Sequence, residues 1–262
     1  MKSVVVVSGG MDSTTLLHDV VAGAHGDFEE VRGLSVNYNQ RHKRELQCAQ
    51  WNCQQLGIRH IVVDLSDASQ QLLQGSALTT KGIEVPEGHY ESENAKVTVV
   101  PSRNMLLLAL ATSYLVSLLD EEGCGTVFYG AHKGDFDVYA DCRPAFVEAM
   151  QKAVALCDFR KVSLEAPYVN MYKWDIAERA KQLDLLQKGS FDDVPMKHTH
   201  TCYKGAYPAC GKCPTCQERV YSWHRCQVID PLPYITGWDA AVKYALKVQE
   251  EYESKKSGKG VL

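Results

Sequence analysis

The chain has 262 residues, 45% of them hydrophobic, and its 28 basic and 32 acidic side chains leave a net charge of −4. That length and composition suit one large α/β domain, or two small ones, around a sizeable core. The small acidic excess argues against a general nucleic-acid or membrane-surface binder, and no stretch of eighteen apolar residues offers a membrane span.

The start, KSVVVVSGG, is a continuous β-branched run followed by glycines. A segment apolar on both faces suits the central strand of a parallel sheet. DSTTLLHDVVAGA then carries helical spacing at Leu16, Leu17, Val20 and Val21 and ends near Gly23. VRGLSVNYN reads as a second strand, HKRELQCAQWNCQQLG as a helix ending at Gly57, and RHIVVDL as a third strand. This βαβαβ order predicts a doubly wound parallel sheet of Rossmann-like type.

Residues 66–98 are rich in Gly, Ser, Pro and charge and read as a long surface loop, the kind that serves as a lid or a binding loop. A long apolar helix is expected over 104–119, then a strand at TVFYGAH, a helix at RPAFVEAMQKAVALC, a short strand at VSLEAPYV and a helix at KWDIAERAKQLDLL. A last amphipathic helix, DAAVKYALKVQEEYESKK, is expected to fade into SGKG. No repeat and no linker stands out. The expected organisation is an α/β unit over 1–200, with a C-terminal segment over 201–262 packed as part of the same domain.

The turn SGGMDSTT, residues 8–15, lies between the first strand and its helix. Gly9 and Gly10 let backbone N–H groups approach a ligand closely; Ser8, Ser13 and Thr14 add hydroxyls, and the helix start adds its positive end. The turn is neither a GxxxxGK[ST] loop nor a GxGxxG fingerprint. Asp12, a carboxylate beside an anion site, points to a bridging Mg²⁺.

Four of the ten cysteines, Cys202, Cys210, Cys213 and Cys216, fall within TCYKGAYPACGKCPTC. Repeated Cys-x2-Cys spacing suits a tetrahedral four-thiolate Zn²⁺ site with a structural role, and an iron–sulfur cluster competes with it. Cys48, Cys53, Cys124, Cys142 and Cys157 are scattered and read as packed thiols of a reducing compartment, and the VVVV start makes a poor secretory signal, so a cytoplasmic protein is expected.

Both ends of the chain resemble one family. SGGMDSTT, YNQRHKRE at 38–45, VPEGHY at 85–90, VVPSRN at 99–104, GAHKGDFDVYADCRPAF at 130–146 and TCYKGAYPACGKCPTCQER at 201–219 match, in order, motifs of the QueC family, whose members form 7-cyano-7-deazaguanine (preQ0). That family belongs to the N-type ATP pyrophosphatases, or PP-loop ATPases. The resemblance implies an ATP-dependent carbon–nitrogen ligase of queuosine biosynthesis that takes 7-carboxy-7-deazaguanine, ammonia and ATP. It implies that Ser8, Gly9, Gly10, Met11, Asp12, Ser13, Thr14, Thr15, Leu16 and Leu17 form the ATP stretch with Mg²⁺, and that Asp12, Ser13, Arg103 and Lys173 are catalytic. Tyr38, Arg41, His42, Arg103, His132, Asp135, Tyr139, Asp141 and Arg143 are the implied substrate residues, and the four late cysteines hold one Zn²⁺. Arg103, just ahead of a long helix, is placed to grip an anion together with that helix's N-terminus. Cys142 is read as packing, because adenylate chemistry needs no nucleophilic thiol.

The chain departs from the family pattern at Asn39, His132, Ala140 and Asp175, which leaves open a relative that stops at the amide or takes another deazapurine. A tRNA-modifying enzyme built on the same loop and a non-catalytic nucleotide-sensing module are the competing readings. The resemblance further implies a homodimer with no direct nucleic-acid or membrane partner. Trp223, Tyr234 and Trp238, near the cysteine segment, are expected to be exposed aromatics and interface candidates, with internal packing as the alternative.

Overall fold

Alternation along the first strand sets the layers. In β1 (Lys2–Val6), Val4 and Val6 join one buried cluster, while Val5 and, just past the strand, Val7 join another. Successive side chains of a strand point to opposite faces, so a run apolar throughout must be covered on both. The computed structural model describes residues 1–187 and 191–258.

β1 pairs with β2 (Glu30–Asn37) on one side and β4 (Cys124–Phe128) on the other, β2 pairs with β3 (Arg59–Asp64), and β4 pairs with β5 (Lys161–Glu165). All four pairings are parallel, and the order is β3-β2-β1-β4-β5. Helices α1 (Met11–Val21), α2 (Arg44–Gln55) and α6 (Lys173–Gln182) cover one face through Leu16, Leu17, Ala49, Cys53 and Ile176. Helices α4 (Arg103–Ser117) and α5 (Pro144–Leu156) cover the other through Leu108, Leu115, Val147 and Val154. The connection direction reverses between β1 and β4, which opens a crevice at the carboxyl ends of these two strands.

Three expectations are corrected. The span 66–98 is not a free lid. It contains α3 (Ser66–Leu72) and a short 3₁₀ turn (Glu93–Thr98), and it buries Leu73, Ala77, Leu78, Val85, Tyr90 and Ala95 in the core. Its apolar residues are too widely spaced to read as an element, but Ala77 N–H donates to Val97 O at 2.8 Å and ties the span to itself. Trp223 is fully buried and Tyr234 nearly so, while Trp238 is partly covered; the first two pack internally and are not surface aromatics. Cys157 is exposed, unlike buried Cys48, Cys53 and Cys142.

A helix absent from the sequence reading, α7 (Pro214–Arg225), is capped by Cys213 and carries Cys216 in its first turn, with Pro214 at a first-turn position where its missing N–H costs nothing. The final helix, α8 (Trp238–Gly258), packs against α7. Cys202, Cys213, Cys216 and Val220 share a cluster with Val4, Leu34 and Val127, so the late segment adds to the sheet's own core. The end of the expected SGKG tail lies outside the described residues. No described helix is long and apolar enough to cross a membrane.

Candidate active site and metal clamp

The turn after β1 is built around one obligatory glycine. Gly9 has φ +86°, and a Cβ there would sit 1.9 Å from Glu45 O. Gly10 caps α1, so the helix's free N–H groups face the crevice. Ser8 and Ser13 lock the turn: Ser8 N–H donates to Ser13 Oγ at 3.1 Å, and the two hydroxyls are 3.0 Å apart.

Across the crevice stands a charge relay of four elements. Lys173, the first residue of α6, places Nζ 3.0 Å from Asp12 Oδ2 and 2.9 Å from Glu218 Oε2 of α7. His132 follows β4; its Nδ1 accepts the Gly134 N–H at 3.1 Å, which turns Nε2 toward Lys173 (3.2 Å) and Asp135 Oδ1 (3.5 Å). Burial pushes the Asp12 carboxyl up, but Lys173, His132 and Arg219 outweigh it and hold it below the usual carboxylate range. Burial pulls Lys173 down, yet Asp12, Glu218 and Asp135 raise it further, so it stays charged. Burial dominates at Glu218, whose carboxyl rises despite Lys173. Asp12 Oδ1 is buried with no hydrogen-bond partner among the described residues.

The other wall is aromatic. The Arg103 guanidinium carbon lies 5.8 Å from the Tyr139 ring centre, the Tyr139 and Tyr203 hydroxyls are 2.9 Å apart, and Tyr90 donates to Asp135 Oδ1 at 2.6 Å. Burial pushes Tyr38 up to about 12, so its hydroxyl stays protonated. Burial also raises the Cys142 thiol well above its usual value, and Asn104 Nδ2 donates to its sulfur at 3.2 Å, which fits a packing role.

Between these two walls lies a cavity of about 190 Å³. Of the residues named from the sequence, Ser8, Gly10, Met11, Asp12, Ser13, Tyr38, His42, Arg103, His132, Asp135, Tyr139 and Lys173 line it. Gly9 does not line it and packs instead against the start of α2. Thr14, Thr15, Leu16 and Leu17 do not line it: Leu16 and Leu17 fill the core beneath the turn, and Thr15 Oγ1 donates to Met11 O at 2.9 Å. Arg41 is exposed and donates to the carbonyls of Thr80 and Ile83. Arg143 is exposed and donates to Phe136 O at 2.8 Å. Asp141 caps α4 by accepting the Asn104 N–H at 3.1 Å, so that helix start serves Asp141 rather than an outside anion. The sequence reading had not singled out Glu45, Tyr90, His200 and Tyr203, which also line the cavity, or Glu218 behind Lys173. Tyr90, Tyr203 and Glu218 do fall inside the quoted VPEGHY and TCYKGAYPACGKCPTCQER stretches; Glu45 closes YNQRHKRE, and nothing in the pattern marks His200.

Beside this cavity the four late cysteines converge, with their sulfurs all within 4.8 Å of one another. Cys210 Sγ and Cys216 Sγ are 3.9 Å apart, far beyond a disulfide bond and close to the ~3.8 Å edge of a tetrahedron with ~2.3 Å metal–sulfur bonds. The Lys212 and Cys213 N–H groups donate to Cys210 Sγ at 3.4 and 3.3 Å, a turn that suits thiolate ligands. The donor set fits a metal ion. Thr201 and Thr215, each next to a clamp cysteine, line the cavity, and Thr215 Oγ1 donates to Thr201 O at 2.9 Å. Arg219 is fully buried behind them, paired with Asp230 at 2.7 and 2.9 Å.

Fold and site define a doubly wound parallel α/β protein with a phosphate-binding type of turn after its first strand and a four-cysteine segment able to hold a metal. Residues 2–227 match the family model of queuosine biosynthesis protein QueC. The 7-cyano-7-deazaguanine synthase of Hahella chejuensis is 46% identical over 233 residues, covering 89% of this chain and 93% of that protein. The synthase of Methanoregula boonei is 44% identical over 234 residues, covering 89% and 99%. The chain belongs to the QueC family. A solved U34-tRNA thiolase, NcsA from Methanococcus maripaludis, aligns over 95% of this chain and 72% of its own at 12% identity and a TM-score of 0.43, too weak a likeness to carry an argument.

Proposed function

We propose that the chain makes 7-cyano-7-deazaguanine from 7-carboxy-7-deazaguanine, ammonia and ATP, in queuosine biosynthesis. The observation that carries this is the match to 7-cyano-7-deazaguanine synthases over almost nine tenths of the chain, which makes it a ligase-type enzyme. In the first half-reaction a substrate carboxylate oxygen attacks the α-phosphorus of ATP, and pyrophosphate leaves. The ammonia lone pair attacks the acyl carbon of the adenylate, AMP departs with the former carboxylate oxygen, and loss of a proton gives the amide. The amide oxygen then attacks a second ATP in the same way. Departure of AMP and of both amide protons leaves the nitrile.

The roles follow from charge and placement. The turn at Ser8, Gly9, Gly10 and Ser13 binds the pyrophosphate portion. Asp12, with a buried unpartnered Oδ1, is the residue that would hold a Mg²⁺ arriving with ATP, and such an ion would draw charge from the phosphates. Lys173 stabilises negative charge at the α-phosphate as it develops. Arg103 binds the substrate carboxylate, Tyr38 or Tyr139 stacks on the deazapurine ring, and Asp135 accepts from its guanine-like edge. The four late cysteines would hold one Zn²⁺, a closed site whose role is to fix the cavity wall. Arg41, Asp141 and Arg143 act at one remove, by holding the loops around the site.

A homodimer, a cytoplasmic location and the lack of a direct nucleic-acid partner belong to the same reading, and light scattering tests the first. The enzymatic reading is tested by ATP–pyrophosphate exchange. Exchange that depends on 7-carboxy-7-deazaguanine is expected; its absence would favour a non-catalytic nucleotide module.

A further inference from the structure

The short segment leading into the metal clamp is also tied to the phosphate turn. Asn52 Nδ2 donates to His198 O at 2.7 Å, Arg219 Nη1 donates to Thr199 Oγ1 at 2.7 Å, and the His200 N–H donates to Gly9 O at 2.8 Å. Two residues further on, Cys202 enters the clamp. The main chain of His200 is therefore fixed from several directions, while its side chain is not.

His200 is 1% exposed and lines the cavity, and both of its ring nitrogens lack a hydrogen-bond partner among the described residues. Buried polar atoms in folded proteins are nearly always paired, so an imidazole orphaned at both nitrogens points to a ligand. His42 Nδ1 is orphaned on the same cavity, although its Nε2 sits 3.2 Å from Glu45 Oε2. The identity of the ligand follows from what His200 stands beside. Its carbonyl lies 3.7 Å from the point where a Cβ on Gly10 would be, and Gly10 caps α1 with the helix's N–H groups directed at the crevice. What such a turn binds is an anion rich in oxygen acceptors, and a ring N–H is a matching donor.

We propose that His200 donates a ring N–H to a phosphate oxygen at the pyrophosphate end of the nucleotide, so that the clamp segment itself supplies one of the phosphate contacts. The proposal rests on the nucleotide reading above. It gives the clamp a second consequence: the four thiolates that fix Cys202 also fix the height of His200 over the turn. A merely structural histidine would pair its nitrogens with the protein, as His132 does through Nδ1.

The test uses magnesium pyrophosphate as the probe, in isothermal titration with the metal-loaded protein, alongside 7-carboxy-7-deazaguanine as a second ligand. His200→Leu keeps the bulk and removes the donor. It should weaken pyrophosphate about ten- to a hundredfold, the range for a lost hydrogen bond to a charged acceptor, and leave the deazapurine carboxylate unchanged. His200→Asn or His200→Gln, which restore an N–H near Nδ1 or Nε2, should recover most of the loss. Wild-type pyrophosphate affinity in His200→Leu, or an equal loss of both ligands, would overturn the proposal. Failure of the wild-type protein to bind pyrophosphate would overturn the nucleotide reading and this inference with it. Because a buried substitution can unfold the chain, the wild type is also read directly with ¹⁵N in its nine histidine rings. Saturating magnesium pyrophosphate must shift a buried ring signal, and a spectrum with no such shift counts against the proposal.

Discussion

Lys173 holds its ammonium 3.0 Å from Asp12, joining the helix after β5 to the helix that opens at the phosphate turn. Glu218 takes the far side of the same ammonium at 2.9 Å. One buried cation thus sits between two part-buried carboxylates at the mouth of the crevice. Lys173→Met should keep the fold and lower kcat/KM about 10²–10³-fold, the usual loss when one charge-stabilising donor is removed. Asp12→Ala should abolish nitrile formation. Steady-state kinetics with circular dichroism as a folding control checks both.

Gly9 admits no side chain. Its φ of +86° is strained for any L residue, and a Cβ would overlap the Glu45 carbonyl. Gly9→Ala should therefore destabilise the protein by at least about 1–3 kcal/mol and separate the turn from α2. A lower urea midpoint together with weaker ATP binding is the expected result.

Arg219 and Asp230 form an ion pair with both side chains wholly out of water. The Tyr234 hydroxyl donates to Asp230 Oδ2 at 2.6 Å, and Thr199 and Thr201 accept from Arg219. Removing one partner leaves a buried charge uncompensated, at a cost of about 3–5 kcal/mol. Asp230→Ala should lower Tm by roughly 10 °C, which differential scanning calorimetry will read.

Four cysteine sulfurs gather in one tetrahedral-sized cluster beside the cavity wall, which Thr201 and Thr215 line. Metal analysis should find one zinc per chain. Stripping it with a chelator should lower Tm and, through the loosened 199–202 segment, weaken pyrophosphate binding before it affects the deazapurine. Cys216→Ser should behave like the stripped protein. Finding iron would favour a cluster over a structural zinc.

Asp19 of α1 is buried and accepts from the Arg179 guanidinium and from the Tyr168 hydroxyl at 2.9 Å. Burial raises its carboxyl, but Arg179 and Tyr168 more than offset that, and it lies below its ordinary 3.8. A folded pKa lower than the unfolded one means that the stability it contributes is complete above about 3.8 and is lost as pH falls through the folded value. Asp19→Asn should therefore flatten the acid limb of the stability curve, as measured by urea midpoints between pH 6 and 3.

Much of this was legible in the sequence because the signals were local. VVVV could only be a strand buried on both faces, SGGMDSTT carried its own turn chemistry, and the cysteine spacing implied convergence. The turn's extent was misjudged for a helical reason: Leu16 and Leu17 lie on the face of α1 that packs against the sheet, so nearness in sequence did not bring them to the cavity. The resemblance implies Asp141 and Arg143 as substrate residues, yet each satisfies a neighbouring backbone group. Glu218 and His200 lie far along the chain from Asp12 and Gly9, and only tertiary packing brings them together. The 66–98 span hid its buried residues because isolated apolar side chains among glycines and charges have no period to read.

The central claim is that the chain turns a carboxylate into a nitrile at the expense of ATP. The most direct measurement is mass spectrometry of the product after incubation with 7-carboxy-7-deazaguanine, ammonium and magnesium ATP. The account predicts 7-cyano-7-deazaguanine together with AMP and pyrophosphate. An amide that accumulates without nitrile, or a substrate left unchanged while ATP binds, would contradict it.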